Sequence, residues 1–288
     1  MSAVRITGCT RFYAQLADPV APVKLPEILQ PVFDGRDLDV AVVPMHVTPD
    51  GLGEVVTALR RWQNLTGFGV TMPHKEAVLG LLDELTEPAR VTGSVNLVRR
   101  EAGGRLIGTN IDGSGFIAGM HGHGHCLRGR SVLLLGAGGT ACAIAFALAA
   151  AGVARLAIAN RTAARARSLA DAVAARFPGL AVSAMPVVAV ATDHDIVINA
   201  TSVGHGASSG MLLVDPDTLC PGTVVADVIA EPATTPLLVE ARRRGLPAVP
   251  GLVMLDAQMG EVLTFLRLGP DTEYQAVPKR EVPFRHPE

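Results

Sequence analysis

Three polar side chains in this sequence have the types needed to move a proton on and off a hydroxyl. Lys75 closes the run Val70-Thr71-Met72-Pro73-His74-Lys75, and Asn96 and Asp112 follow it. Taking a hydride from a secondary alcohol leaves a carbonyl, so the hydroxyl proton must leave too. A lysine can shuttle that proton and a neighbouring carboxylate can hold the lysine in place. In the reverse direction the ammonium donates. Pro73 stands where a helix can begin, which puts Lys75 at a helix start. Outside such a pattern a lysine there would be a plain surface residue, and Asp112 could simply cap the helix ahead of Ser114-Gly115-Phe116.

A second constellation suits a dinucleotide. The apolar run Ser131-Val132-Leu133-Leu134-Leu135 reads as a buried parallel strand and leads into Gly136-Ala137-Gly138-Gly139-Thr140-Ala141. This is the G-x-G-x-x-G/A pattern between a strand and a helix. Gly136 permits the tight turn, Gly138 lets the backbone approach a pyrophosphate, and small Ala141 allows close helix–strand packing. The free N–H groups of the helix start favour phosphate charge. The next strand ends at Ala159-Asn160-Arg161-Thr162, without the carboxylate that would accept from a ribose 2′-hydroxyl. Arg161, assisted by Thr162 and Arg165, suits a 2′-phosphate instead, so the expected cofactor is NADP.

The elements that must position these groups alternate strand and helix, which predicts an α/β fold with mostly parallel sheets. Strands are expected at Val4–Gly8, Val40–Val43 (ended by Pro44), Gly67–Thr71, Ser131–Leu135, Arg155–Ala159, Ile196–Asn199 and Val224–Val228. Helices are expected at Pro26–Asp34, Leu52–Leu65, Thr140–Ala151, Ala163–Phe177, Pro236–Arg244 and Leu252–Leu268. At 288 residues the chain is long for one domain and comfortable for two. The junction falls inside the Gly- and His-rich stretch from Gly113 to Gly129. The tail after Gly269-Pro270 reads as loosely held.

Composition narrows the function. A net charge of -2 lacks the basic field that nucleic-acid binding needs. The apolar stretch Ala141–Ala151 is too short to span a membrane, and no signal peptide is evident at Met1 to Thr10. Four scattered cysteines fit a reducing cytoplasm. The expected partner is a small-molecule substrate, with the chain a monomer or homodimer. The segment His121-Gly122-His123-Gly124-His125-Cys126 could suggest a metal, but its place at the junction favours a polar linker, and no metal is expected. His46 could line a cleft, and His74 could fix the turn before Lys75.

Six ordered motifs make the chain resemble the shikimate dehydrogenase family, from about Asp18 to Phe265. They are Val70–Lys75 (V-T-[I/V]-P-H-K), Gly93-Ser94-Val95-Asn96, Asn110-Ile111-Asp112-Gly113-Ser114-Gly115-Phe116, Asn160-Arg161-Thr162, Asn199-Ala200-Thr201-Ser202-Val203-Gly204, and Gly251-Leu252-Val253-Met254-Leu255-Asp256-Ala257-Gln258. The resemblance implies two α/β domains flanking a cleft. A substrate domain, residues 1–117, would be completed by a C-terminal helix within 252–288. A Rossmann-like NADP domain would occupy 118–251. Lys75 and Asp112 would then be the catalytic pair, with Thr71, Asn96 and Gln258 on the substrate. Gly136, Ala137, Gly138, Gly139, Asn160, Arg161, Thr162, Arg165, Thr201, Ser202, Gly251 and Met254 would serve the cofactor.

The match breaks in one chemical class of position. The family's N-terminal serine pair is Val23 and Leu25 here, its asparagine before V-T-x-P-H-K is Gly69, its tyrosine after D-[V/L]-x is Ala230, and the threonine of N-T-D is Ile111. In the family the serines and the tyrosine hold the substrate's carboxylate. A carboxylate facing Val23 and Leu25 would lose several kcal/mol to desolvation, unless Lys24 turned inward. The expected function is therefore NADP-dependent interconversion of a cyclic secondary alcohol and its ketone, on a substrate other than shikimate. A shikimate dehydrogenase with a rearranged carboxylate site, and a non-catalytic NADP- or metabolite-binding protein, are the alternatives.

Overall fold

The computed structural model describes residues 6–185, 191–206 and 210–268. Two six-stranded sheets stand side by side, each with helices on both faces. In the first, β1 (Arg11–Ala17) lies between β2 (Val40–His46) and β3 (Leu65–Val70), all parallel. The sheet continues antiparallel through β5 (Leu97–Arg100) and β6 (Leu106–Thr109). It ends at the two-residue β4 (Glu84–Leu85), which is parallel to β6. One face is covered by α2 (Leu52–Arg61) and by the short α3 (His74–Ala77) and α4 (Glu87–Thr92), around Leu16, Val56, Phe68 and Val98. The other carries α1 (Leu25–Asp34) and the last helix, α9 (Leu252–Leu266), around Tyr13, Phe33, Leu97 and Met259.

The second sheet is wholly parallel, in the order β12 (Ala248–Val249), β11 (Val224–Asp227), β10 (Ile196–Asn199), β7 (Ser131–Leu135), β8 (Arg155–Ala159), β9 (Ala181–Met185). Strands buried on both faces need continuous apolar runs, and β7 has one. Helices α6 (Gly139–Ala150) and α7 (Ala163–Arg176) cover one face, and α8 (Pro236–Arg243) packs on the other. The strand order reverses between β7 and β10, so a crevice opens at their carboxyl ends, where ligands bind in such sheets.

Helix α5 (Asp112–Gly122) joins the two halves, packing on both α6 and α9. Its glycines explain how closely. A Cβ on Gly113 would lie 2.4 Å from the Ala143 carbonyl of α6, and one on Gly115 would lie 2.3 Å from Gln258 Cγ of α9.

Several sequence expectations need correction. The first strand begins at Arg11, and Ile6 to Thr10 is irregular; residues 4 and 5 of the expected strand lie outside the described residues. Pro44 does not end β2. It sits within an edge strand, where a missing N–H costs no ladder bond. The helix from Leu52 stops at Arg61, and Leu65 already belongs to β3. β4, β5, β6, β9, β12 and α4 were not expected. The segment 121–126 is not simply a linker, since α5 runs to Gly122 and His123 Nδ1 lies 3.1 Å from the Gly119 carbonyl. The expectation for the tail after Gly269 lies outside the described residues. Among the described residues, no helix is long and apolar enough to cross a membrane.

The glycine contacts give a stability prediction. Gly113→Ala should force α5 and α6 apart and cost about 1–3 kcal/mol, read as a lower denaturant midpoint. An unchanged midpoint would mean that the helices have slack the packing does not suggest.

Candidate active site

The site is organised around one carboxylate. Asp112 opens α5, where the helix N-terminus favours negative charge. It is only 4% exposed. Its Oδ2 accepts from Lys75 Nζ at 2.5 Å and from Thr140 Oγ1 at 3.3 Å. Its Oδ1 accepts from Asn96 Nδ2 at 2.7 Å and from Gln258 Nε2 at 3.4 Å. Its own backbone N–H donates to Asn110 Oδ1 at 3.0 Å, which fixes the turn before the helix.

Each partner has its own support. Asn96 precedes β5, and its Oδ1 accepts from the Ile111 N–H at 3.0 Å, so one amide holds both the carboxylate and the backbone before it. Lys75 lies in the turn of α3. The His74 ring is buried there, with Nε2 donating to the Val47 carbonyl at 2.7 Å. His74 thus fixes the turn, as the sequence suggested. Gln258 is buried on α9 and reaches Asp112 across the bare backbone of Gly115. Thr71 follows β3 and is half-buried, and its hydroxyl has no hydrogen-bond partner among the described residues.

Sequence reasoning assigned no role to Thr140. Its Oγ1 accepts from Lys75 Nζ at 3.1 Å and also contacts Asp112. Thr140 belongs to the glycine turn of the second sheet, so the lysine–aspartate pair touches that turn directly. The available signal was its hydroxyl in the glycine motif.

The turn itself is built as the motif requires. Gly136 has φ +122°, and a Cβ there would meet the Ala200 carbonyl at 2.7 Å. Ala137 is half-buried against the core. A Cβ on Gly138 would find no atom within 4 Å, and no side chain caps α6. Gly139 lies against Ser94 of the first half. Arg161, Thr162 and Arg165 are exposed at the end of β8 and the start of α7, and neither arginine is in an ion pair among the described residues. Asn160 Nδ2 donates to the Thr162 carbonyl at 3.1 Å, closing that corner.

The remaining expected cofactor residues lie deeper or in turns. Thr201 Oγ1 donates to Asn199 Oδ1 at 2.7 Å, within a turn where Ser202 is exposed. Gly251 is buried, and a Cβ there would lie 2.4 Å from the Ile229 carbonyl. Met254 packs in the core beside Phe116 and Val249. His46 is more than half exposed and bonds Asp18 at 2.7 Å. Among the described residues, no three His, Cys, Asp or Glu side chains gather as a metal ion would need.

Val23 and Leu25, just before and at the start of α1, are half-buried, and Leu25 packs against the core cluster that holds Tyr13 and Phe33. Lys24 does not turn inward as a free cation. Its Nζ lies 3.2 Å from Glu231 and 3.4 Å from Glu27, and chiefly the Glu231 carboxylate raises its pKa above the ordinary value. Glu231 follows Ala230 in the loop after β11, so this pair bridges the two halves.

Residues 16–98 match the shikimate dehydrogenase substrate binding domain, and residues 120–207 match the shikimate / quinate 5-dehydrogenase family. A shikimate dehydrogenase (NADP(+)) of Rubrobacter xylanophilus is 41% identical over 261 residues, covering 88% of this chain and 90% of that protein. The chain belongs to the shikimate dehydrogenase family. Among solved structures it is similar to the shikimate 5-dehydrogenase of Thermus thermophilus in complex with NADP(H) and shikimate (30% identical, TM-score 0.81, 91% of this chain and 96% of that one). It is also similar to the ligand-free 5-ketofructose reductase of a Gluconobacter species (34% identical, TM-score 0.81, 91% and 95%). The two-domain α/β architecture with a Rossmann-like second half is thus the family's own.

The four bonds on Asp112 make a measurable claim. Asp112→Ala leaves an ammonium and two amides facing a hole, and should cost roughly 3 kcal/mol of stability. Lys75→Met combined with Asp112→Leu should cost less than the sum of the single changes. Strict additivity in denaturant unfolding would mean that the pair is not coupled.

Proposed function

We propose that this protein is an NADP-dependent oxidoreductase that interconverts a hydroxyl and a ketone on a neutral, polyhydroxylated substrate. The observation that carries the reaction type is the contact of Lys75 and Asp112 with Thr140, which sets a proton-transfer pair against the glycine turn. The turn fits a dinucleotide: Gly138 opens on empty space, the first N–H groups of α6 have no side-chain cap, and Arg161 and Arg165 stand nearby outside any ion pair among the described residues. When bound, NADP supplies or accepts the hydride. The name of the Rubrobacter relative and the NADP(H) of the Thermus structure support that choice.

The chain's own residues handle the proton. Lys75 donates to the substrate oxygen as a ketone is reduced, and receives the proton when the alcohol is oxidised. Asp112 holds the ammonium in position, and Thr140 gives it a second fixed contact. Asn96 and Gln258 orient Asp112 and, with the hydroxyl of Thr71, line the place where substrate hydroxyls bind. In this reading residues 1–117 and the helix from Leu252 form the substrate domain, and residues 118–251 the nucleotide domain. The packing of α9 on α1 and β5 supports that division. The four free cysteines are in keeping with work in a reducing cytoplasm.

The far wall supports a substrate without a carboxylate. Val23, Leu25 and Ala230 offer it no side-chain donor. Lys24 is already neutralised by Glu231 and Glu27, whose charges would repel an anion. A site without donors for a buried polar group discriminates strongly against it. The Gluconobacter relative is named for 5-ketofructose, a neutral polyhydroxy ketone, which is the class proposed here. One observation favours a second reading, true shikimate dehydrogenase activity: relatives at 41% and 40% identity carry that name.

A substrate panel decides between them. With NADPH, 5-ketofructose should be reduced with a far higher kcat/KM than 3-dehydroshikimate, and the opposite order overturns the neutral-substrate reading. Lys75→Met should lower kcat by about 10²–10⁴, and a smaller loss would remove the lysine from the chemistry. NADPH should be preferred to NADH, and Arg161→Ala should erase most of that preference. A wild type that favours NADH would refute the role given to the arginine.

A further inference from the structure

One buried polar side chain beside the site has no partner. Gln15 lies on β1 and is 2% exposed, and its Oε1 accepts no hydrogen bond among the described residues. An unmet buried amide oxygen costs about 1–3 kcal/mol, so a place kept for it asks for a ligand. Its position says where that ligand would be. Gln15 pairs in register with Gly69 of β3, two residues before Thr71. A Cβ on residue 69 would lie 2.2 Å from Gln15 Oε1 and 2.3 Å from the Tyr13 hydroxyl, so both polar groups occupy the space above that glycine.

Side chains alternate along a strand, so Tyr13 and Gln15 share one face. Tyr13 packs in the same cluster as Ile111 and Met259, the chain neighbours of Asp112 and Gln258. Gln15 is two residues further toward the carboxyl end of β1, the end of a parallel strand at which ligands bind. Burial pushes the Tyr13 phenol up, which keeps it a neutral O–H.

We propose that Gln15, with the Tyr13 hydroxyl beside it, is a specificity-determining subsite that binds a hydroxyl of the neutral substrate. This rests on the neutral-substrate reading above and adds the group that recognises it. The amide offers both an acceptor and a donor, which a hydroxyl can match together; a carboxylate can only accept. Gly69 is then required, because any side chain there would displace the amide.

Wild type and Gln15→Met are compared with NADPH and 5-ketofructose, and by thermal unfolding without ligand. The expected result is a KM for 5-ketofructose raised about tenfold or more, with kcat changed less and the KM for NADPH unmoved. The melting temperature should rise, because an unmet polar group has been replaced by an apolar one of similar length. A KM within twofold of wild type overturns the subsite and leaves the neutral-substrate reading standing. A lower melting temperature, or a variant that does not fold, makes Gln15 structural and also overturns it. A wild type inactive on 5-ketofructose removes the neutral-substrate reading, and the subsite with it.

Discussion

The Asp112 carboxylate is the constraint on which the rest of this structure turns. A buried carboxylate is tolerated only if donors replace the water it has lost. Here four donors do so, and they come from four separate places: the turn before β5, α3, α6 and α9. Three belong to the half built on the first sheet, counting the returning C-terminal helix, and one to the glycine turn of the second. Satisfying one charge therefore fixes the geometry of both halves near the cleft. The close contact of Gly113 with Ala143 acts in the same direction. The residue that anchors the lysine is the first residue of the helix that couples the two sheets, so the lysine–aspartate contact and the packing of the two halves are set by one element.

Two kinds of position enter the proposed function, and they differ in how they are held. Lys75, Asn96 and Gln258 are all tied to Asp112, so changing one disturbs the others. Val23, Leu25 and Ala230 are half-buried apolar side chains without such bonds, and Gly69 has no side chain at all. In the proposed function, substitution there would alter what fits without moving the lysine–aspartate pair.

The second half was far more legible in the sequence than the first, for a physical reason. Strands buried on both faces in a parallel sheet must be unbroken apolar runs, and β7, β8 and β10 were read to the residue. The first sheet mixes directions. β5 and β6 are four residues each, with Arg99 and Arg100 in one and Gly108 in the other, so neither shows a clear period. β1 was misplaced because Gln15 interrupts its apolar run. α2 was drawn too long because Trp62 to Asn64 contain no glycine or proline to mark the turn. Lys75, Asn96 and Asp112 were legible because they sit in recognisable local motifs. The contact of Thr140 with Lys75 and the place of Gln15 opposite Gly69 were not, because they join residues 65 and 54 positions apart in the chain.

The polar groups of this cleft divide into those already satisfied and those left open. Lys24 belongs to the first group: held by Glu231 and Glu27, it closes the outer wall electrically and leaves no unmatched cation there. The Thr71 hydroxyl and the Gln15 amide belong to the second, and both are neutral. In the proposed function, recognition comes from hydrogen bonds placed along β1 and β3. Neutral groups of that kind match hydroxyls, and in the function proposed above the hydrocarbon of Val23 and Leu25 would disfavour an anion.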